Sequence, residues 1–201
     1  MSTNRLESFS DAVIAVAITL LVLNIEVPAP GGAGSLGHRL AEQWPTYAAY
    51  VTSFMTIGII WINHHVMISR LERADHAILI LNLVLLLSIG VLPFGTNLLA
   101  TYLREGEGQH LAAAIYSGLF LLMGFAFATL NHHILFRKTH MLTHSLDVAR
   151  RRRILSRAVA GLLPYVLATA VAPISPELTL IICAAVAVFY ALPVASGADI
   201  S

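Results

Sequence analysis

The side chains able to do chemistry are few in this sequence, and the first group stands at its start. Arg5, Glu7, Ser8, Ser10 and Asp11 lead into the apolar run AVIAVAITLLVL. Asp11 lies about one turn into the helix that this run predicts. A bare carboxylate at such depth in an apolar helix is costly, so it is expected to face protein and pair with a donor. The positive end of its own helix dipole also favours it. Arg5 is six residues earlier, too far for an i,i+4 pair. Donors at a matching depth occur in the stretch WINHH, as Trp61, Asn63, His64 and His65. These residue types in this placement predict a hydrogen-bonded network between two helices. They do not predict a metal centre, because neighbouring histidines point about 100° apart on a helix and zinc motifs use i,i+4 spacing. The same holds for His132 and His133. No phosphate-binding glycine loop, nucleophile elbow or nucleic-acid motif is present, and no catalytic pair can be defended. The expectation is a protein that is not an enzyme, with no cofactor and no nucleic-acid partner.

The second chemical feature is one hydroxyl in the middle of that apolar run. Val16, Thr19, Leu20 and Leu23 fall on one helical stripe, which Ala12 extends towards the N-terminus. Such a stripe can pack against neighbouring helices, with Thr19 bonded to a carbonyl one turn back. It can also line a pore, where an apolar constriction gates by dewetting and hydroxyls touch a passing cation. Spacing alone favours packing.

The elements that must position these groups are membrane helices. The chain of 201 residues is 57% hydrophobic and 11% charged, against about 25% charged in soluble domains. Its mean hydropathy is +0.77. Spans need about 20 apolar residues, and six segments qualify, at about 9–27, 46–69, 77–100, 111–136, 154–172 and 178–195. The fold class expected is an all-α membrane protein, with 1–201 forming one six-helix transmembrane unit. Pro93 and Pro164 lie inside two of these segments, where neighbouring helices can satisfy the freed backbone groups. The single cysteine, Cys183, sits in an apolar run and reads as a small hydrophobe. The N-terminus carries acids beside its arginine and no clear cleavage site follows, so the first helix is expected to be retained.

Six spans place both termini on one side. Arg5, Arg70, Arg73, Arg137, Lys138, Arg150 to Arg153 and Arg157 fall on that side, and only Arg39 and Arg104 on the other. The positive-inside rule then makes both termini cytoplasmic. The Gly/Pro-rich outer segment PAPGGAGSLGHRLAEQW predicts a loop with a short interfacial helix. The inner segment from Arg137 to Arg157 is expected to prolong the fourth or fifth helix. Its arginine run reads as a topology anchor touching anionic lipid. The formal net charge of +1 names no partner. Glu26, near the outer mouth, concentrates cations or is simply a solvated helix-end carboxylate.

The stretch RLESFSDAVIAVAITLLVL followed by WINHH resembles the endolysosomal potassium channel family (transmembrane protein 175) and its bacterial homologues. The family signature R-x-x-x-F-S-D reads here as Arg5, Phe9, Ser10 and Asp11. The resemblance implies a homotetramer with a central pore lined by the first helix, in the bacterial plasma membrane. It implies that Val16 is the inner constriction, Leu20 and Leu23 are further constrictions, and Thr19 is the hydroxyl layer for selectivity. Arg5, Phe9, Ser10 and Asp11 would join Trp61, Asn63 and His64 or His65 in the inter-helix network. The implied function is a potassium-permeable, weakly selective cation channel, since no TVGYG run is present to build a carbonyl cage. Two departures bear on this. Val16 is smaller than the residues often found at that position, and Ala15 stands where other members place a second hydroxyl. The competing reading is a proton-leak pathway or secondary cation transporter using Asp11 and the histidines; an intramembrane enzyme finds no paired acids.

Overall fold

The computed structural model describes residues 3–31 and 33–191. Their regular structure is helical apart from one isolated bridge, Leu71 to Leu142. The helices are α1 (Thr3–Leu20), α2 (Leu36–Glu42), α3 (Trp44–Ile68), α4 (His76–Gly90), α5 (Leu92–Glu105), α6 (Gln109–His132), α7 (Val148–Ala160), α8 (Leu163–Val171) and α9 (Pro176–Ala191).

Local chemistry sets their ends. Ser35, Asp75 and Asp147 cap α2, α4 and α7 by accepting the N–H groups of His38, Ile78 and Arg150 at 3.2, 3.0 and 2.7 Å. Pro45, Pro93 and Pro164 stand in first turns, where the missing N–H is no loss. Gly106 ends α5 at φ 82°, a left-handed conformation that a side chain would strain.

Several helices run on into one another. α1 tightens into a 3-10 turn over Leu21–Asn24, α4 continues into α5 through a break at Val91, and α6 continues through a π-helical turn to Arg137. α7 and α8 are likewise consecutive around Gly161 and Leu162. Pro93 and Pro164 account for two of the breaks, because neither can donate to the preceding turn. Five stretches of the described residues are long and apolar enough to cross a membrane: Thr3–Asn24, Trp44–Ile68, His76–Glu105, Gln109–Arg137 and Val148–Val171. The sixth expected segment, about 178–195, overlaps the shorter apolar helix Pro176–Ala191, and its last four residues lie outside the described ones.

α6 is the centre of the bundle and packs on α4, α5, α7, α8 and α9. Tyr116 and Phe120 are fully buried on it, with their rings 4.7 Å apart edge to face, and Phe120 lies 5.5 Å from the ring of Tyr165 on α8. Ser53 of α3 meets the Thr96 hydroxyl at 2.8 Å and that of Tyr116 at 3.1 Å, so this polar interior is paired. A Cβ on Gly95 would stand 2.4 Å from Leu119, so the glycine sets the approach of α5 to α6.

At the end of the bundle where α3 and α6 finish, two connections are clasped together. Glu72 N–H donates to Met141 O and Thr143 N–H to Arg70 O, both at 2.9 Å. Lys138 meets Asp75 at 2.7 Å. The Lys138 ammonium and the Ile78 N–H hold the Asp75 carboxyl below the usual carboxylate range.

α1 packs against α3 and α4, and more lightly against α5, through Leu6, Ser10, Ile14 and Ala17. The 3-10 turn continues this side with Leu21, and Asn24 Nδ2 donates to Pro93 O at 3.3 Å, tying the end of the span to the break between α4 and α5.

Candidate functional site on the first helix

Polar contacts gather where α1 begins, α3 ends and α4 begins. Three bonds form a directed chain. The Ser10 hydroxyl donates to Leu6 O at 2.8 Å, within α1. Its oxygen accepts from Asn82 Nδ2 of α4 at 2.9 Å. Asn82 Oδ1 pairs with His64 Nε2 of α3 at 2.8 Å. Since the amide nitrogen serves Ser10, the amide oxygen is the acceptor, and His64 carries its proton on Nε2. Ser10, Asn82 and His64 are all fully buried. His64 Nδ1 has no partner among the described residues. A chain of this kind joins three helices at one depth, in surroundings where an unpaired polar group is costly.

Two further contacts flank it. Trp61 Nε1 donates to Asp11 Oδ1 at 2.9 Å, and His65 Nδ1 lies 2.6 Å from Glu7 Oε1. Both cross from α3 to α1. Adjacent histidines therefore serve different partners: His64 reaches α4 through the core, and His65 reaches the first turns of α1.

The remaining residues singled out from the sequence lie elsewhere. Arg5 is exposed and forms no hydrogen bond or ion pair with the described residues. Its distance from Asp11 along the helix explains this, because the two point in different directions. Phe9 is exposed and lines a recess with Leu79, Asn82 and Leu83 of α4, and Asn63 turns back to donate to Ile59 O of its own helix at 2.8 Å. Neither makes a polar contact between helices. Asn82 is the network member that was not singled out from the sequence, and Glu7, named there in the polar first turn, is the acceptor side of the His65 contact. For Asn82 a signal was present: a lone amide in the run AILILNLVLLLS is an expensive group that needs a partner.

The opposite face of α1 is uncovered. Val16 is 57% exposed, Leu20 43% and Leu23 73%, and Thr19 is exposed beside them. The stripe therefore does not pack on helices of its own chain, as the plainer reading required. Thr19 donates its hydroxyl proton to Val16 O at 2.9 Å. That bond leaves oxygen lone pairs to face outward. A shallow groove runs along this face to Gly90 of α4, past Phe9, Ala12, Val16 and Leu20. Gly90 has no side chain to close it. The geometry thus gives α1 one side locked to its bundle by paired polar groups, and another side that is apolar, open and marked by one hydroxyl.

Comparisons with known proteins identify what the chain is similar to. The family model for "Endosomal/lysosomal potassium channel TMEM175" matches residues 5–93, which hold α1 from Arg5 onward, α3, α4 and the whole network. A potassium channel of Streptomyces collinus is 44% identical over 188 residues, covering 94% of this chain and 91% of that one. The crystal structure of a lysosomal potassium-selective channel TMEM175 homologue from Chamaesiphon minutus superposes with a TM-score of 0.84 at 36% identity, covering 94% of this chain and 96% of the other. The chicken endosomal/lysosomal proton channel TMEM175 is 36% identical over 117 residues, which are 54% of this chain and 23% of the chicken protein. With an uncovered stripe on α1, a polar lock behind it and relatives that match along almost its whole length, this membrane protein belongs to the TMEM175 family of potassium channels.

Proposed function

We propose that this chain is one subunit of a homotetrameric, potassium-permeable and weakly selective cation channel in a bacterial plasma membrane. Each chain supplies six spans, with both termini cytoplasmic. The first helix of four subunits surrounds the pore. Val16, Leu20 and Leu23 form apolar constrictions that exclude water when closed. Thr19 offers a ring of hydroxyl oxygens to a partly dehydrated potassium ion. The permeant ion is the only small ligand required.

The observation that carries this reading is the division of α1 into two faces. The stripe Val16, Thr19, Leu20 and Leu23 is uncovered by its own chain, while Ser10, Asp11 and Glu7 tie the other sides to α3 and α4. One helix cannot enclose a pore with a single stripe, so several copies are needed. Rotation of α1 decides what the pore presents, and the paired polar groups hold that rotation. Weak selectivity follows from a single hydroxyl layer: it can replace only part of an ion's hydration shell, and no carbonyl cage stands beside it.

Potassium and sodium flux through liposomes holding the purified chain tests the reading. Wild type should pass potassium faster than sodium. Val16→Asn should raise flux by making the constriction wettable, and Thr19→Ala should lower the preference for potassium. Flux unaltered by both substitutions would move the pore to another helix.

A second reading is a proton-leak pathway or coupled cation transporter. It is favoured by the proton channels among the vertebrate relatives and by the two histidines that contact the first turns of α1 or its partner amide. Sustained potassium current down its own gradient, with no coupled ion and no pH change inside the vesicles, would exclude it.

A further inference from the structure

α7 is weakly held. None of its thirteen residues is buried. Its start is nevertheless fixed beside the end of α3, because Thr143 N–H donates to Arg70 O and Leu71 bridges Leu142, a few residues before the Asp147 cap. Arg70 is half-buried there, and the chain segment that follows its backbone partner Thr143 leads within a few residues to Arg150. Burial and then Arg150 lower the pKa of the Arg70 guanidinium. No carboxylate compensates either charge: the ion pairs among the described residues are His38–Glu42, His65–Glu7 and Lys138–Asp75. Asp147 is occupied in capping α7.

Along α7, Arg150, Arg153 and Arg157 recur at intervals of three and four residues and so share one face. All three are exposed, whereas Arg151, Ile154, Leu155 and Ala158 are partly covered on the side nearer α6. The row is about 10 Å long at 1.5 Å per residue. It occupies the first part of Val148–Val171, the stretch long and apolar enough to cross a membrane, just after the clasped loops. If Val148–Val171 spans a bilayer, the row stands in the first turns of that span, where guanidinium groups meet lipid phosphates, and a guanidinium binds phosphate oxygens in pairs.

We propose that Arg70 and the Arg150, Arg153 and Arg157 face of α7 together hold the phosphate of an anionic phospholipid headgroup, which joins α7 to the end of α3. The lipid is favoured over a free phosphate because Arg157 lies inside the apolar span, where the local phosphate is the bilayer's own. The headgroup relieves the repulsion between Arg70 and Arg150 and supplies acceptors that the protein lacks. It would also bear on the lock behind α1, since Arg70 follows His65 by five residues on the same chain segment.

The test uses the full chain in a neutral detergent, with phosphatidylglycerol and phosphatidylcholine of matched acyl chains, and counts retained lipid by native mass spectrometry. Wild type should retain phosphatidylglycerol in preference. Each basic residue near a membrane surface contributes about fivefold to such affinity, so Arg70→Gln with Arg150→Gln should weaken it about thirtyfold. The charge-matched pair Arg73→Gln with Arg152→Gln, of which Arg152 lies off the Arg150, Arg153 and Arg157 face, should weaken it several-fold less than the first pair. Without lipid, the first double variant should unfold at the wild-type temperature or above it, because a repulsion has been removed. Should that variant fail to fold, Arg153→Gln gives a milder probe with an expected loss of about fivefold. Equal losses in both double variants, or no preference for phosphatidylglycerol, would overturn the site. Displacement of the lipid by excess inorganic phosphate would assign the site to a free anion and overturn the lipid as its occupant.

Discussion

The bond between His64 and Asn82 should be measurable as a coupling free energy. Asn82→Leu removes both bonds of the amide. Ser10 keeps its own bond to Leu6 O, so it is little affected. His64 is affected more, because Nε2 loses its acceptor while Nδ1 already has no partner. A buried donor left unpaired costs about 1–3 kcal/mol. Hydrogen bonds between membrane helices average about 0.6 kcal/mol and reach about 1.7. Asn82→Leu should therefore destabilise the fold by about 2 kcal/mol. His64→Leu leaves Asn82 Oδ1 without a donor and should cost about 1–2 kcal/mol. In the double variant neither orphan remains, so its cost should fall short of the sum by about 1 kcal/mol. The assay is reversible unfolding in mixed micelles at one fixed protein concentration, followed by tryptophan fluorescence for all four members of the cycle. Additivity within about 0.3 kcal/mol would refute the argument, since partners in direct contact must couple. The same variants should also change ion flux, because loss of the amide frees α1 to rotate.

Other expectations follow from neighbouring contacts. Trp61→Phe removes the donor to Asp11 Oδ1 but keeps a ring at that place; stability should fall by about 1 kcal/mol, and flux should change with it, as read in the same liposomes. Asp75→Ala removes both the α4 cap and the Lys138 pair, and should cost about 1–2 kcal/mol at neutral pH. Because the Asp75 carboxyl is held below its ordinary value, its contribution is complete above the unfolded value near ~3.9 and fades as pH falls through the lower native one. The gap between wild type and Asp75→Ala in unfolding experiments should therefore narrow below about pH 4.

Much of this architecture could be read from residue order alone. The apolar runs locate the membrane-capable helices because the bilayer demands both length and hydrocarbon character. Pro93 and Pro164 foretell where two spans break, because the ring removes a donor wherever it stands. Asp11 announces that it needs a partner, and the stripe from Val16 to Leu23 can be drawn from helical period. These are local properties, and local chemistry suffices for them.

Tertiary structure decided the rest. Helical period says which residues share a face, but not how that face is rotated towards other helices. Only packing shows that Val16, Thr19, Leu20 and Leu23 turn away from their own bundle. Neighbours in sequence point about 100° apart, so only the position of α4 assigns His64 to Asn82 and leaves His65 to Glu7. Asn82 reaches Ser10 across seventy-two positions of sequence, a distance at which no spacing rule operates. Arg5 belongs to a recognisable signature yet lies outside the contacts that its neighbours make, because those contacts depend on side-chain direction and depth, which a string of residue types does not contain.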